Sequence, residues 1–180
     1  MACSGDFGWY GNGDVSMSDK KQSELAEVVL EMAREQGLRI VTAESCTGGL
    51  IAGALTDIAG SSDVFDRGFV TYSNEAKQQM LDVKAATLQQ FGAVSEATAK
   101  EMAYGAIAHS MADISVSVTG VAGPGGGTAE KPVGLVCFGI AQVGQVPKAE
   151  NMLFGAIGRT AVRQETVLHA LSLLKQSLSS

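Results

Sequence analysis

Imidazoles, paired thiols, basic runs and long apolar stretches are all scarce in this 180-residue chain, and each scarcity removes a class of function. The two histidines, His109 and His169, fall inside helical patterns with no cysteine or carboxylate at metal-ligand spacing, so no zinc site is expected. Three cysteines, at 3, 46 and 137, show no CxxC spacing, and an odd count suits a reducing cytoplasm better than a disulfide framework. A net charge of −6 is spread along the chain without a Lys/Arg-rich or aromatic-interleaved stripe, which argues against a nucleic-acid surface. The apolar run from Val133 to Val143 is short and holds two glycines, so no membrane span is expected and the protein should be soluble.

The start of the chain lacks the basic and apolar regions of a secretory signal. Met1 to Val15 carry four glycines and two aspartates. Residues 1–17 are therefore read as a disordered extension, with Met17, just before Ser18-Asp19, as a second candidate initiator. The remainder, 18–180, has the length and apolar content of one domain.

Within that domain helical and strand patterns alternate. Ser18 or Asp19 can cap a helix whose apolar face is Leu25, Val28, Val29, Met32 and Ala33, and Gly37 stops it. Arg39 to Ala43 read as a strand, Leu50 to Ile58 as a helix, and Gly68 to Tyr72 as a second strand. Ser73-Asn74 caps a further helix, Gln78 to Gln90 hold two short helical pieces, and Ser95-Glu96 opens a longer helix through Ala108. Ile114, Val116 and Val118 alternate with Ser115, Ser117 and Thr119, the pattern of a strand with one greasy and one hydroxyl-rich face. Val133 to Ala141 suit a central strand covered on both faces, Glu150 to Phe154 an edge strand, and Thr160 to Leu174 a last helix burying Val167, Ala170, Leu171 and Leu174. This order predicts an α/β single-domain layered sandwich, with a mixed, mostly parallel sheet flanked by helices. Small, apolar helices leave a surface for self-association, and a homodimer is expected.

Two junctions concentrate the chemistry. Ser45 to Gly49 form the turn between the first strand and its helix, where free N–H groups can receive a phosphate or an oxyanion, although Ser and Thr also stand at such places simply as caps. A serine needs a base, and no histidine offers a triad context. The second junction, Gly68 to Lys77, delivers Tyr72, Ser73, Asn74 and Lys77. A lysine in a first helical turn faces an unfavourable dipole, and burial disfavours its charge further, so Lys77 is the candidate base, against the commoner fate of a surface lysine paired with a carboxylate. Tyr72 is either a proton relay, a stacking partner or an ordinary strand residue. Cys46 is a rival nucleophile, but neighbours in extended backbone point opposite ways, so it should face the core if Ser45 faces the ligand. The loop Gly120 to Gly127 lacks the signatures of a Walker or dinucleotide site and reads as a mobile connection or a ligand-facing wall. Arg159 and Arg163, opening the last helix against its dipole, can grip a phosphate or form ion pairs.

Thr42-Ala43-Glu44-Ser45-Cys46-Thr47-Gly48-Gly49, Gly68 to Lys77, Gly92 to Glu96, Gly120 to Pro124 and Lys131 to Gly134 together closely resemble the C-terminal domain family of the competence/damage-inducible protein CinA, over roughly Ser23 to Leu174. The resemblance implies an α/β fold and nicotinamide mononucleotide deamidase activity: hydrolysis of the carboxamide to nicotinate mononucleotide and ammonia. It implies Ser45 as nucleophile, Lys77 as base and Tyr72 beside them as the catalytic residues, with the N–H groups of Thr47 and Gly48 as oxyanion donors. The substrate-binding set it implies is Glu44, Thr47, Gly48, Gly49, Asn74, Thr119, Gly120, Gly123, Arg159 and Arg163. No metal or organic cofactor is implied. The family motif Gly-Asp-Arg-x-x-Val-Arg appears here with Gly158 in place of the aspartate, and the N-terminal molybdopterin-binding-like domain of full-length CinA proteins is not in this sequence. The competing class is a non-catalytic nucleotide-binding or competence-related interaction module.

Overall fold

A computed structural model describes residues 17–179. The extension expected at 1–17 therefore lies outside the described residues except for Met17, which is the first residue of helix α1. The elements run α1 (Met17–Gln36), β1 (Ile40–Glu44), α2 (Leu50–Thr56), β2 (Phe65–Val70), α3 (Asn74–Leu81), α4 (Ala85–Phe91), α5 (Glu96–Ala108), β3 (Ile114–Gly120), β4 (Leu135–Gln142), β5 (Lys148–Leu153) and α6 (Arg159–Leu178).

The five strands form one sheet in the order β2-β1-β3-β4-β5. β1 pairs parallel with both β2 and β3, whereas β4 is antiparallel to β3 and β5. The sheet is thus mixed, with its parallel half in the first three strands. α1, α2 and α6 pack together on one face, and α3 and α4 pack on α5, which covers the other. Two cores follow from this layering. One gathers Leu30, Ile51, Leu55, Leu171 and Leu174 against the sheet, and the other gathers Val41, Leu81, Val83 and Met102. Each such side chain contributes about 1.5–3 kcal/mol when taken wholly out of water.

Both faces of β3 are buried, including its hydroxyl-rich one. Ser115, Ser117 and Thr119 donate to the carbonyl oxygens of Ala103, Ala99 and Ala93 at 2.7, 2.6 and 2.8 Å, so the polar stripe is satisfied by the backbone of α5 and the segment before it. Four expectations shift. Ser18 and Asp19, expected to cap α1, lie inside its first turn, because the helix already includes Met17. Val28 is exposed, because the stripe of α1 that meets α2 and α6 is Ala26, Val29, Leu30 and Ala33. β2 starts at Phe65 and ends at Val70, so Thr71 and Tyr72 have left the strand before Ser73 caps α3 through its hydroxyl, which accepts from the Ala76 N–H. β4 is covered as expected but lies one strand in from the edge, and β3 takes the central place.

Candidate active site

Because β1, β2 and β3 are parallel, their carboxyl ends share one edge of the sheet, the place where open α/β sheets receive ligands. Register makes the convergence close. Glu44 is opposite Val70 on one side and Val118 on the other, so the next residues, Ser45, Thr71 and Thr119, come side by side. The Thr71 N–H donates to the Glu44 carbonyl at 2.8 Å and the Ser45 N–H to the Val118 carbonyl at 3.0 Å, extending the ladder by one step. A cleft of about 230 Å³ opens at this edge and is lined by Ser45, Cys46, Tyr72, Asn74, Lys77, Thr119 and Arg159 among others.

Lys77, the fourth residue of α3, is almost fully buried. Its Nζ lies 3.0 Å from Ser45 Oγ and 2.8 Å from the Thr71 carbonyl oxygen. Among the described residues no carboxylate forms an ion pair with it. Burial accordingly holds its ammonium below the ordinary lysine range. A neutral amine here can donate to Thr71 and accept the serine proton. Cys46 borders the cleft but belongs to the buried core shared with α2 and α6, and burial pushes its thiol up to about 12, which leaves it protonated and inert near neutral pH.

The turn after β1 is closed by Gly48 and Gly49, both at positive φ (63° and 102°), a conformation costly for other residues. Its N–H groups are less available than the sequence suggests. Gly49 caps α2 without a side chain of its own, and the Glu44 carboxylate supplies the missing acceptor. Glu44 Oε2 accepts from the N–H groups of Gly49 and Ile51 at 2.9 and 3.1 Å, and Oε1 from Ala52 at 2.8 Å. A phosphate on this helix end would have to displace a buried carboxylate. The Gly48 N–H also turns inward, to the Ser45 carbonyl at 3.1 Å, so it is not an oxyanion donor in this geometry. The N–H groups of Cys46 and Thr47 make no hydrogen bond to an oxygen among the described residues.

The expected residues thus divide. Ser45, Lys77, Tyr72, Asn74, Thr119, Gly120 and Arg159 border the cleft. Glu44, Thr47, Gly48, Gly49, Gly123 and Arg163 do not; Glu44 caps, and Gly123 acts through its carbonyl, which accepts from Arg159 Nη1 at 3.1 Å. The Tyr72 hydroxyl accepts from Arg159 Nη2 at 3.1 Å and makes no hydrogen bond to Ser45 or Lys77. Arg159 still enters the cleft although Gly158, the residue at the family aspartate position, gives α6 no side-chain cap. Arg163 instead donates from Nη2 to the Thr47 carbonyl at 2.7 Å. Sequence reasoning missed Thr71, whose carbonyl orients Lys77, and Ala93, Val94 and Ala122, which complete the wall. None of them carries a chemical signal in the sequence. Among the described residues no three His, Cys, Asp or Glu side chains cluster as a metal site would require.

Comparison with known proteins agrees with this architecture. The chain is 51% identical over 156 residues to the nicotinamide-nucleotide amidohydrolase PncC of Enterobacter agglomerans, covering 86% of this chain and 94% of that protein. It is 49% identical over 154 residues to a competence-damage inducible protein of Caldicellulosiruptor saccharolyticus, of which it spans only 37%. The solved structure of the competence/damage inducible protein CihA from Agrobacterium tumefaciens superposes with a TM-score of 0.86 at 53% identity, over 89% of this chain and 96% of that one. With the model of the CinA C-terminal domain matching residues 22–178, the chain belongs to the CinA C-terminal domain family.

Proposed function

We propose that this protein is a nicotinamide mononucleotide amidohydrolase that works through a Ser45–Lys77 acyl-enzyme. The observation that carries the reading is the 3.0 Å approach of a buried, carboxylate-free lysine nitrogen to a serine hydroxyl at the floor of a cleft. The names of relatives that match most of their own length, such as the amidohydrolase of Enterobacter agglomerans, support the substrate class.

In this mechanism the neutral Lys77 amine takes the Ser45 proton as Oγ attacks the carboxamide carbon. The N–H groups of Cys46, which borders the cleft, and of Thr47, next to it in the turn, receive the oxyanion, and Lys77 returns the proton to the departing nitrogen, releasing ammonia. Water, deprotonated by the same amine, then hydrolyses the ester and frees nicotinate mononucleotide. Arg159 supplies the charge for the phosphate, with Tyr72 and the Gly123 carbonyl holding its guanidinium, and Asn74, Thr119 and Gly120 face the rest of the ligand. We also place the enzyme in the cytoplasm, acting on a small molecule rather than on nucleic acid or membrane, as a homodimer. Two unpaired buried thiols, Cys46 and Cys137, a net charge of −6, and exposed Tyr104, Met111 and Val146 support those assignments.

Purified protein incubated with nicotinamide mononucleotide, with and without EDTA, tests the reading through ammonia and nicotinate mononucleotide release. Turnover should survive chelation, and Ser45→Ala and Lys77→Ala should each lower kcat by at least about 10²-fold. Binding without turnover would make the chain an interaction module, and retained activity in Ser45→Ala would overturn the dyad.

A further inference from the structure

We infer that Arg163 is a positioning residue that holds the Ser45 turn in its reactive shape from outside the cleft, an assignment that rests on the amidohydrolase reading above. Arg163 projects from the second turn of α6 and does not border the cleft containing Ser45; it lies beside a separate depression with Asp19, Gln22, Thr160 and Gln164. Its Nη2 donates to the Thr47 carbonyl at 2.7 Å, a charge-assisted bond, while its Nε is buried with no hydrogen-bond partner.

The other anchors of the turn are local or come from the strands: Ser45 N–H on Val118, Gly48 N–H on Ser45, Gly49 N–H on Glu44. Thr47 has none of these. Its side chain is fully buried with Oγ1 unpartnered, its N–H lies against the neighbouring Cys46 sulfur, and its carbonyl bond to Arg163 is the long-range polar contact that orients it among the described residues. The N–H of the same residue bonds no oxygen among the described residues and is one of the two that the proposed mechanism gives to the oxyanion. A residue tied at its carbonyl cannot rotate its N–H freely, so the long-range bond from α6 sets the aim of a donor more than a hundred positions earlier in the chain, as the 116-residue separation shows. Arg159, four residues before it, borders the cleft and is held by the Gly123 carbonyl and the Tyr72 hydroxyl, so one helix end serves both binding and alignment.

This role separates kcat from KM. Arg163→Ala should lower kcat for nicotinamide mononucleotide by roughly 10- to 100-fold, the cost of misplacing an oxyanion donor, with KM changed by less than about 3-fold. Added guanidinium ion should restore part of that rate, and Arg163→Lys should retain more activity than Arg163→Ala. A second readout uses acylation of Ser45 by p-nitrophenyl acetate, in which the p-nitrophenolate burst should slow by a similar factor. If the wild type acylates but releases no ammonia from nicotinamide mononucleotide, the substrate reading fails and the burst still tests Arg163. A third readout needs no substrate: amide exchange of Thr47 and Gly48 in nitrogen-15 spectra should be faster in Arg163→Ala with the rest of the spectrum preserved. A rise in KM at constant kcat would make Arg163 a ligand-binding residue and overturn the inference. So would unchanged exchange at Thr47 and Gly48, or a rate loss that matches loss of folded protein and is not rescued by guanidinium.

Discussion

Replacing Glu44 with Gln should cost the fold about 3 kcal/mol, although the two side chains have nearly the same shape. In the native turn one carboxylate oxygen accepts from Gly49 and Ile51 at 2.9 and 3.1 Å and the other from Ala52 at 2.8 Å, so three N–H groups at the start of α2 depend on this side chain. Glutamine can present its oxygen to Gly49 and Ile51, but its NH₂ then points at the Ala52 N–H. Losing the charge weakens two bonds by about 1 kcal/mol each, and leaving two donors face to face in a buried site costs about 1–3 kcal/mol more, partly relieved by rotation. For a domain of this size each kcal/mol moves the melting temperature by about 2–4 °C, so Glu44→Gln should melt about 6–12 °C below the wild type by circular dichroism. Activity should fall as well, because the same turn carries Ser45. A drop of less than about 2 °C with full activity would mean that the carboxylate does not cap α2, and the corrected reading of the turn would fail with it.

Lys77 makes a pH-dependent prediction. Its pKa is lowered in the folded protein from the ordinary 10.5, so the unfolded chain binds more protons between the two values and stability must rise with pH across that window. Urea midpoints measured stepwise toward pH 10.5 should therefore climb in the wild type relative to Lys77→Met, which has no such proton to exchange; parallel curves for the two proteins would refute a buried, depressed lysine. Gly105 tests the seat of the same helix, since a methyl there would overlap the Leu81 carbonyl oxygen on α3. Gly105→Ala should destabilise by about 1–3 kcal/mol and reduce turnover by shifting α3 and Lys77, and a melting temperature within about 1 °C of wild type would show that the helices are not so closely apposed.

Much of the layout was legible from local chemistry. Ser73 and Ser95 announce α3 and α5 as N-caps because a capping hydroxyl bonds to an N–H three residues on, here Ala76 and Thr98, well within the span of sequence that pattern reading covers. The alternation in β3 and the periodicity of α6 likewise depend on the repeat of one element, and both were read within a few residues of their bounds. Lys77 as partner to Ser45 was reached by elimination of other bases and by family resemblance, and the 3.0 Å approach supplies the geometry.

What the sequence determined alone was the kind and order of the elements and the two junctions rich in reactive groups. Strand order, register and helix placement were decided only in three dimensions, because they depend on contacts between residues far apart in the chain. Those contacts turned Glu44 and the Gly48 N–H inward, put Arg163 on the Thr47 carbonyl, and set Tyr72 on Arg159. A carboxylate or guanidinium at a given position has the same intrinsic affinity whether it meets a ligand or its own backbone; which one it meets is fixed by the packing that brings them within hydrogen-bonding distance.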